Sequence, residues 1–131
     1  MRATLDIFGV AWLSWIFPGT VDKGGIKTMN YKFWLDDIRP APEGYLWFQT
    51  AESLIEMLKN YYNSQPIVDK VVEISLDNDL GEGRMEGYKV LDWLESLLIP
   101  VEFGIHIHSA NPVARERMRA IVQHNGWKEV R

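Results

Sequence analysis

The 131-residue sequence contains no cysteine, which removes disulfide scaffolds, thiolate metal sites, iron–sulfur clusters and cysteine nucleophiles from consideration. It has no excess of positive charge either, with 14 Lys and Arg against 18 Asp and Glu and a formal net charge of −4. An acidic chain offers no broad face for gripping a phosphate backbone, so an extended duplex nucleic-acid surface is excluded. Any phosphate chemistry must be local, run by a few placed groups or a metal. No apolar run approaches the roughly 20 residues needed to span a bilayer, and the longest, in TLDIFGVAWLSWIFPG, is broken by Asp6. No membrane association and a cytoplasmic setting are therefore expected. What remains is ordinary globular composition, 47% hydrophobic and 24% charged with six tryptophans. That is enough to bury the core of one domain, and aromatics scattered through strands usually serve that core.

Residues 1–28 differ from the rest and are expected to form an N-terminal extension to a domain at 29–131. Arg2 precedes the apolar run, but Asp6 fits a signal peptide badly and no small-x-small cleavage site follows. The segment reads either as an apolar piece packed on the domain or as upstream sequence from an early start codon. Met29 opens a self-sufficient pattern, MNYKFWLDD, and no functional residue is assigned before it. Residues 29–131 carry 11 basic and 16 acidic side chains, so the acid bias sits in the domain.

From Tyr31 onward, strand and helix patterns alternate. Strands are expected at Tyr31–Leu35, Tyr45–Gln49, Val71–Leu76 and Val101–His108, with a last short one in Trp127–Val130. Thr50 caps a helix over Ala51–Tyr62 with Leu54, Ile55, Leu58, Tyr61 and Tyr62 inward. A second helix spans Gly87–Leu98 with Tyr88, Leu91, Leu94 and Leu98 on one face, and Pro100 stops it. A third spans Pro112–His124, burying Ala114, Met118, Ile121 and Val122, with Gly126 as its stop. The alternation predicts an α/β fold, a three-layer open and mainly parallel sheet with right-handed crossovers. Only seven residues separate Asp37 from Tyr45, too few for a helical crossover. Either the first helix is missing or the Tyr45 strand pairs in some other way.

Ligands of open α/β sheets bind beyond the carboxyl ends of the strands. Three of the expected strands end there in polar groups: Asp36-Asp37, Asp77-Asn78-Asp79, and His106-Ile107-His108-Ser109-Ala110-Asn111. If the strands are neighbours, three or four carboxylates meet on one rim. Two carboxylates ~4–6 Å apart repel by roughly 3–4 kcal/mol at an effective dielectric near 20. Such a cluster requires a cation, a shared proton or an arginine, and oxygen ligands suit Mg²⁺, Mn²⁺ or Ca²⁺. A mixed histidine–carboxylate site for Mn²⁺ or Zn²⁺ is the lesser possibility. Each feature also has a plainer explanation. An Asp pair before a loop often serves as a cap or turn former. The Asp77 stretch fails as a calcium loop, because Gly81, Glu82 and Tyr88 stand at the wrong positions. A lone inward histidine is usually a satisfied core group. His106 and His108, however, share one face of their strand and run directly into Ser109 and Asn111, which favours a site.

The segments LDDIRPAP, TAESLIEML, EISLDNDLG with GYKVLDWL, and IHIHSANPVARERM resemble, in that order, the cyclic-phosphate processing receiver domain, a divergent relative of two-component receivers. The likeness covers about residues 30–124. It implies a receiver-like, flavodoxin-type sheet and processing of cyclic phosphate ends or cyclic nucleotides. By that resemblance Asp36 and Asp37 match the receiver's Mg²⁺-holding acidic pair, Asp77 its phosphoryl-accepting aspartate, and Ser109 its phosphate-touching hydroxyl. Arg39, Asp79, His106, His108 and Asn111 belong to the family's own motifs. Two departures stand out: Asn78 replaces the family's usual histidine, and Lys128 is the sole candidate for the receiver lysine.

The resulting expectation is a metal-dependent phosphoesterase, a hydrolase for 2′,3′-cyclic phosphate RNA ends or cyclic nucleotides. Asp36, Asp37, Asp77 and Asp79 would serve Mg²⁺ or Mn²⁺, with Asp77, His108 and His106 catalytic. Arg39, Ser109 and Asn111 would anchor phosphate, aided by free N–H groups at the Pro112 helix start, and Arg115 and Arg119 either reach the nucleotide or form a solvated face. The alternatives are attack by Asp77 itself, a phosphorylated signalling receiver, and a non-catalytic module that binds a cyclic nucleotide or a protein partner.

Overall fold

The computed structural model describes residues 21–22, 25–26, 29–63 and 70–131. The expected N-terminal extension lies outside them except for two short strands, β1 (Val21–Asp22) and β2 (Gly25–Ile26), which pair antiparallel. The chain divides into two compact units. One takes in the residues up to Asn30 and Glu56–Lys70, and there the Lys70 N–H donates to the Met29 carbonyl at 2.9 Å. The other, Tyr31–Ile55 with Val71–Arg131, carries every side chain of the acidic rim.

Five strands form the main sheet: β3 (Asn30–Leu35), β4 (Tyr45–Phe48), β5 (Lys70–Leu76), β6 (Gly104–Ile107) and β7 (Glu129–Val130), in the order β4-β3-β5-β6-β7. They run parallel, with Leu35 opposite Phe48, Ser75 opposite His106 and His106 opposite Val130. This is the receiver-like, flavodoxin-type α/β sheet. The helices are α1 (Ala51–Asn63), α2 (Tyr88–Ser96) and α3 (Pro112–His124). Alternation decides which side chains reach the core. Phe33, Leu35, Ile74, Leu76, Ile105 and Ile107 are buried, while Trp34, Glu73, Ser75, His106 and His108 point the other way.

The steps β4→β5, β5→β6 and β6→β7 all move in one direction across the sheet. Right-handed crossovers therefore send α2, α3 and the start of α1 to one face. The step β3→β4 moves the opposite way, and its helix would cover the other face. It has none: residues 36–44 form a loop, and β4 still pairs in parallel with β3. The short link is held by side chains instead. Trp34 Nε1 donates to the Arg39 carbonyl at 2.9 Å, Trp47 Nε1 to the Asp36 carbonyl at 2.7 Å, and Gln49 Nε2 to the Asp37 carbonyl at 3.2 Å. Among the described residues no helix lies on that second face.

The helix boundaries follow the capping chemistry. Thr50 Oγ1 accepts the Ser53 N–H, and Asn111 caps α3 ahead of Pro112 at its first position. Several expectations need correction. Ile55 and Ile121, expected inward, are only partly buried. The fourth strand is only Gly104–Ile107, because its ladder with β5 begins at Gly104 and the preceding residues have no partner strand. Leu98 does not join the inward face of α2. It lies beyond the helix end with φ 56° and is 91% exposed, while Val90, Leu91 and Leu94 are buried.

The start of α2 approaches the end of β5 closely. A Cβ on Gly87 would stand 1.8 Å from the Asp77 carbonyl oxygen, whereas one on Gly83 would meet nothing. Gly87→Ala is expected to destabilise the domain by about 3 kcal/mol or more through overpacking against backbone. Gly83→Ala, strained only by its φ of +75°, should cost about 1 kcal/mol. Urea unfolding of the two variants measures the difference, and equal losses would contradict the packing argument.

Candidate active site

The carboxyl ends of β3, β5 and β6 come together as expected. Asp36, Asp37 and Asp77 each bring a carboxylate oxygen within 4.8 Å of the others. They line a hollow of about 440 Å³ with Ile38, Arg39, Asp79, Gly81 and Ala110. The backbone sets this convergence: the Asp36 N–H donates to the Phe48 carbonyl, Asp77 N–H to Leu35 and His108 N–H to Leu76. Each ladder thus runs one step past its strand and delivers the next side chain to the rim.

The three carboxylates are not equivalent. Asp36 is 1% exposed, yet its oxygens meet four donors. Oδ1 accepts the N–H groups of Ile38 and Arg39 at 3.0 and 2.8 Å, and Oδ2 meets Arg39 Nε at 2.9 Å and His108 Nε2 at 3.1 Å. Burial opposes its charge, but the backbone donors, His108 and the Arg39 guanidinium together outweigh burial and hold the carboxyl below its ordinary range. Asp77, also buried, has only the Asn78 N–H on Oδ1 at 2.8 Å and Arg39 Nη2 at 3.7 Å. Burial first, then the charges of Asp36 and Asp37, push it above the ordinary range against the pull of Asn78 and Arg39. Its Oδ2 and the Asp37 carboxylate have no partner among the described residues.

These donors fit a hard divalent cation: three acidic side chains, with Asp77 Oδ2 and the Asp37 carboxylate lacking partners among the described residues. Arg39 stands in as the local cation, its side chain 52% exposed and paired with Asp36 at 2.9 Å. Asp79 lines the hollow without joining the group of three; its oxygens face Asn78 Nδ2 at 3.1 Å and Asn111 Nδ2 at 3.4 Å.

The remaining expected residues are distributed differently from their sequence order. Ser109 is buried, and its Oγ accepts the Asn111 N–H at 3.1 Å, leaving its own proton to give. The N–H groups at the start of α3 are not free, because Asn111 Oδ1 takes those of Val113 and Ala114. Arg115 donates to the Ser109 carbonyl and Arg119 to Glu129, so neither is a free solvated arm. Lys128 precedes β7 and so sits at the opposite end of a parallel strand from the acidic rim. His108 lies behind Asp36 rather than in the hollow. Its ring stacks on Trp34 with centroids 3.9 Å apart, its Nε2 faces Asp36 and its Nδ1 faces Ser75, so both nitrogens are engaged. Burial is the largest influence on it and holds the imidazole below its ordinary range, against the hydrogen bond and charge of Asp36. His106 lies beside it, ring centroids 6.1 Å apart, on the same Ser75 hydroxyl.

Ser75 escaped the sequence reading. The signal was present, since Glu73, Ser75 and Asp77 alternate through the apolar run VVEISL and share one face. The same face holds Tyr45, whose hydroxyl donates to Glu73 at 2.8 Å and whose pKa burial and Glu73 push up to about 12.

A family model described as the cyclic-phosphate processing receiver domain matches residues 31–124, more than two thirds of the chain. No curated protein and no solved structure matches.

Two stability measurements follow from the asymmetric carboxylates. Asp77 has a raised pKa in the folded chain, so its contribution is full below the unfolded carboxyl value and is lost as pH rises through the folded one. In cation-free buffer Asp77→Asn should be more stable than the wild type near neutrality, with the gap closing in acid. Thermal melts across that range test this, and an unstable Asp77→Asn at neutral pH would refute it. Asp36→Ala, which strands buried donors, should lose about 3–5 kcal/mol.

Proposed function

The chain belongs to the cyclic-phosphate processing receiver domain family, and from that premise we propose that its acidic hollow opens 2′,3′-cyclic phosphates of nucleotides or RNA ends with a divalent cation. The observation that supports this most directly is the Asp77 carboxylate. It is buried beside two other acids and short of donors, a group whose charge a cation would relieve. Asp36, Asp37 and Asp77 would hold Mg²⁺ or Mn²⁺, with Asp79 at the edge. The cation would supply Lewis-acid stabilisation of the phosphate and a lowered pKa for a bound water.

The chain's own groups do the rest. Arg39, displaced from the carboxylates, turns its guanidinium to a non-bridging phosphate oxygen. Ser109 donates its free proton to another. Asn111, committed to the helix cap through Oδ1, has only its Nδ2 for a ligand. In the reaction a water oxygen bonds to phosphorus, one ribose P–O bond breaks, and a water proton ends on the leaving oxygen. His108 keeps Asp36 aligned, its Nε2 lying 3.1 Å from that carboxylate.

A binding module for cyclic nucleotides is the second reading. The engagement of both His108 nitrogens favours it, because that ring has no free nitrogen to protonate a leaving group.

Incubation of the chain with 2′,3′-cyclic nucleotides, with Mn²⁺ or Mg²⁺ or with chelator, separates the two. Hydrolysis should yield a nucleoside monophosphate, stop on chelation, and fall by about 100-fold or more in Asp77→Asn, since changes even outside the ligand set cost 10–100-fold. Stoichiometric binding without product would leave the module. Neither turnover nor binding would overturn both.

A further inference from the structure

A second hollow, of about 240 Å³, opens beside the acidic one at the starts of α2 and α3, lined by Asn78, Glu86, Tyr88, Asn111, Val113 and Arg117. The two hollows share a wall. Asp79 and Ala110 line the acidic one, and their chain neighbours Asn78 and Asn111 line the other. Across the divide Asn111 Nδ2 lies 3.4 Å from Asp79 Oδ2. The two asparagines also hold the flanking helices. Asn78 Oδ1 accepts the Tyr88 N–H at 3.0 Å, and Asn111 Oδ1 accepts those of Val113 and Ala114 at 3.0 and 3.1 Å. These backbone donors are therefore committed, and side chains decide what the hollow takes.

Val113 and Arg117 stand four residues apart on α3 and so share a face. Arg117 holds its guanidinium over the Tyr88 ring, Cζ 4.2 Å from the centroid, and enters no ion pair among the described residues. Val113 is 79% exposed, an uncovered apolar side chain beside that pair. Glu86 adds a carboxylate, which repels anions, so a second phosphate is not what this hollow recognises. A ring, a guanidinium held on it, an apolar side chain and one acceptor match a neutral flat heterocycle carrying N–H groups. Nucleobases are bound in this way, stacked on aromatic rings or guanidinium planes and hydrogen-bonded at their edges. The size agrees, since pockets for drug-sized ligands run to roughly 300–1,000 Å³ and this one suits a single ring system.

We propose that this hollow is a nucleobase subsite. Arg117, held by Tyr88, is its stacking surface, and Glu86 accepts a base N–H. Because the Asp79–Asn111 contact divides the two hollows, the phosphate and the base of one cyclic nucleotide would fall on either side of it. That link rests on the phosphate function proposed above; the base subsite does not.

The test compares the full chain's affinity, or KM where there is turnover, for a 2′,3′-cyclic nucleotide and for methyl riboside 2,3-cyclic phosphate, which lacks a base. With Mn²⁺ present the nucleotide should bind about tenfold more tightly or better, the worth of one stacked base. Arg117→Ala, an exposed position, should remove that advantage and leave the base-free ligand unchanged. Arg117→Lys should not restore it, since an ammonium keeps the charge and loses the plane. Equal wild-type affinity for the two ligands, an Arg117→Ala that weakens both alike, or full rescue by lysine overturns the proposal. A wild type that binds neither ligand defeats the phosphate function instead. The subsite is then judged alone by adding the free nucleoside to the ¹⁵N-labelled chain. Shifted amide signals at Tyr88, Val113 and Arg117 uphold it, and unmoved signals overturn it.

Discussion

Three carboxylates within 4.8 Å of one another are the constraint around which the rim is built. Like charges this close repel by several kcal/mol unless something answers them. The fold answers them unequally. Asp36 receives two backbone N–H groups, a guanidinium and an imidazole, and is secured as an anion. Asp77 receives one short backbone bond and a distant guanidinium contact. The cluster thus holds one well-answered charge and one that is costly as it stands. That inequality, more than the number of acids, is what supports the cation site proposed above.

The absent crossover helix shapes the second side of the same site. With only residues 36–44 joining β3 to β4, no helix among the described residues covers the sheet face behind Asp36. Two tryptophans take over the work of a packed helix, each fixing a carbonyl of the short loop through its indole N–H. Trp34 does a second job by stacking flat on His108. Its body excludes water from the imidazole while its edge anchors Arg39, so loop, counter-ion and histidine are tied to one residue. Aromatics that composition assigns to the core are, at these two positions, loop anchors beside the site.

Local chemistry was legible in the sequence wherever one residue decides the outcome. Pro112 at a first helical turn behind Asn111, Thr50 before Ala51 and Gly126 past His124 each mark a helix end by their own backbone preferences, and the structure agrees. The polar strand ends also pointed to the rim. What could not be read depends on register. Ser75 acquires meaning only because it sits opposite His106, and a strand alone does not state its partner's alignment. The same holds for Arg39, whose place between Asp36 and Asp77 needs two strands in position, and for Lys128, which the parallel direction of β7 carries to the wrong end. The shortened β6 follows the same rule, since Val101–Phe103 look extended but face no partner strand.

Asn78 shows how far the departure from the family's usual histidine matters. It is buried, and both ends of its amide are in use: Oδ1 accepts the Tyr88 N–H at the start of α2, and Nδ2 donates to Asp79. Its carbonyl accepts the Gly87 N–H, at the point where α2 comes too close to β5 for any side chain on residue 87. The position therefore docks a helix, and a neutral amide with one acceptor and one donor meets those two demands at any pH. The imidazoles lie apart from that junction: His108 Nε2 faces Asp36 directly, and the Ser75 hydroxyl joins His108 to His106. A histidine at 78 would bring a titratable group into the helix contact itself, whereas here the two imidazoles sit on the opposite sheet face, away from the junction that α2 depends on.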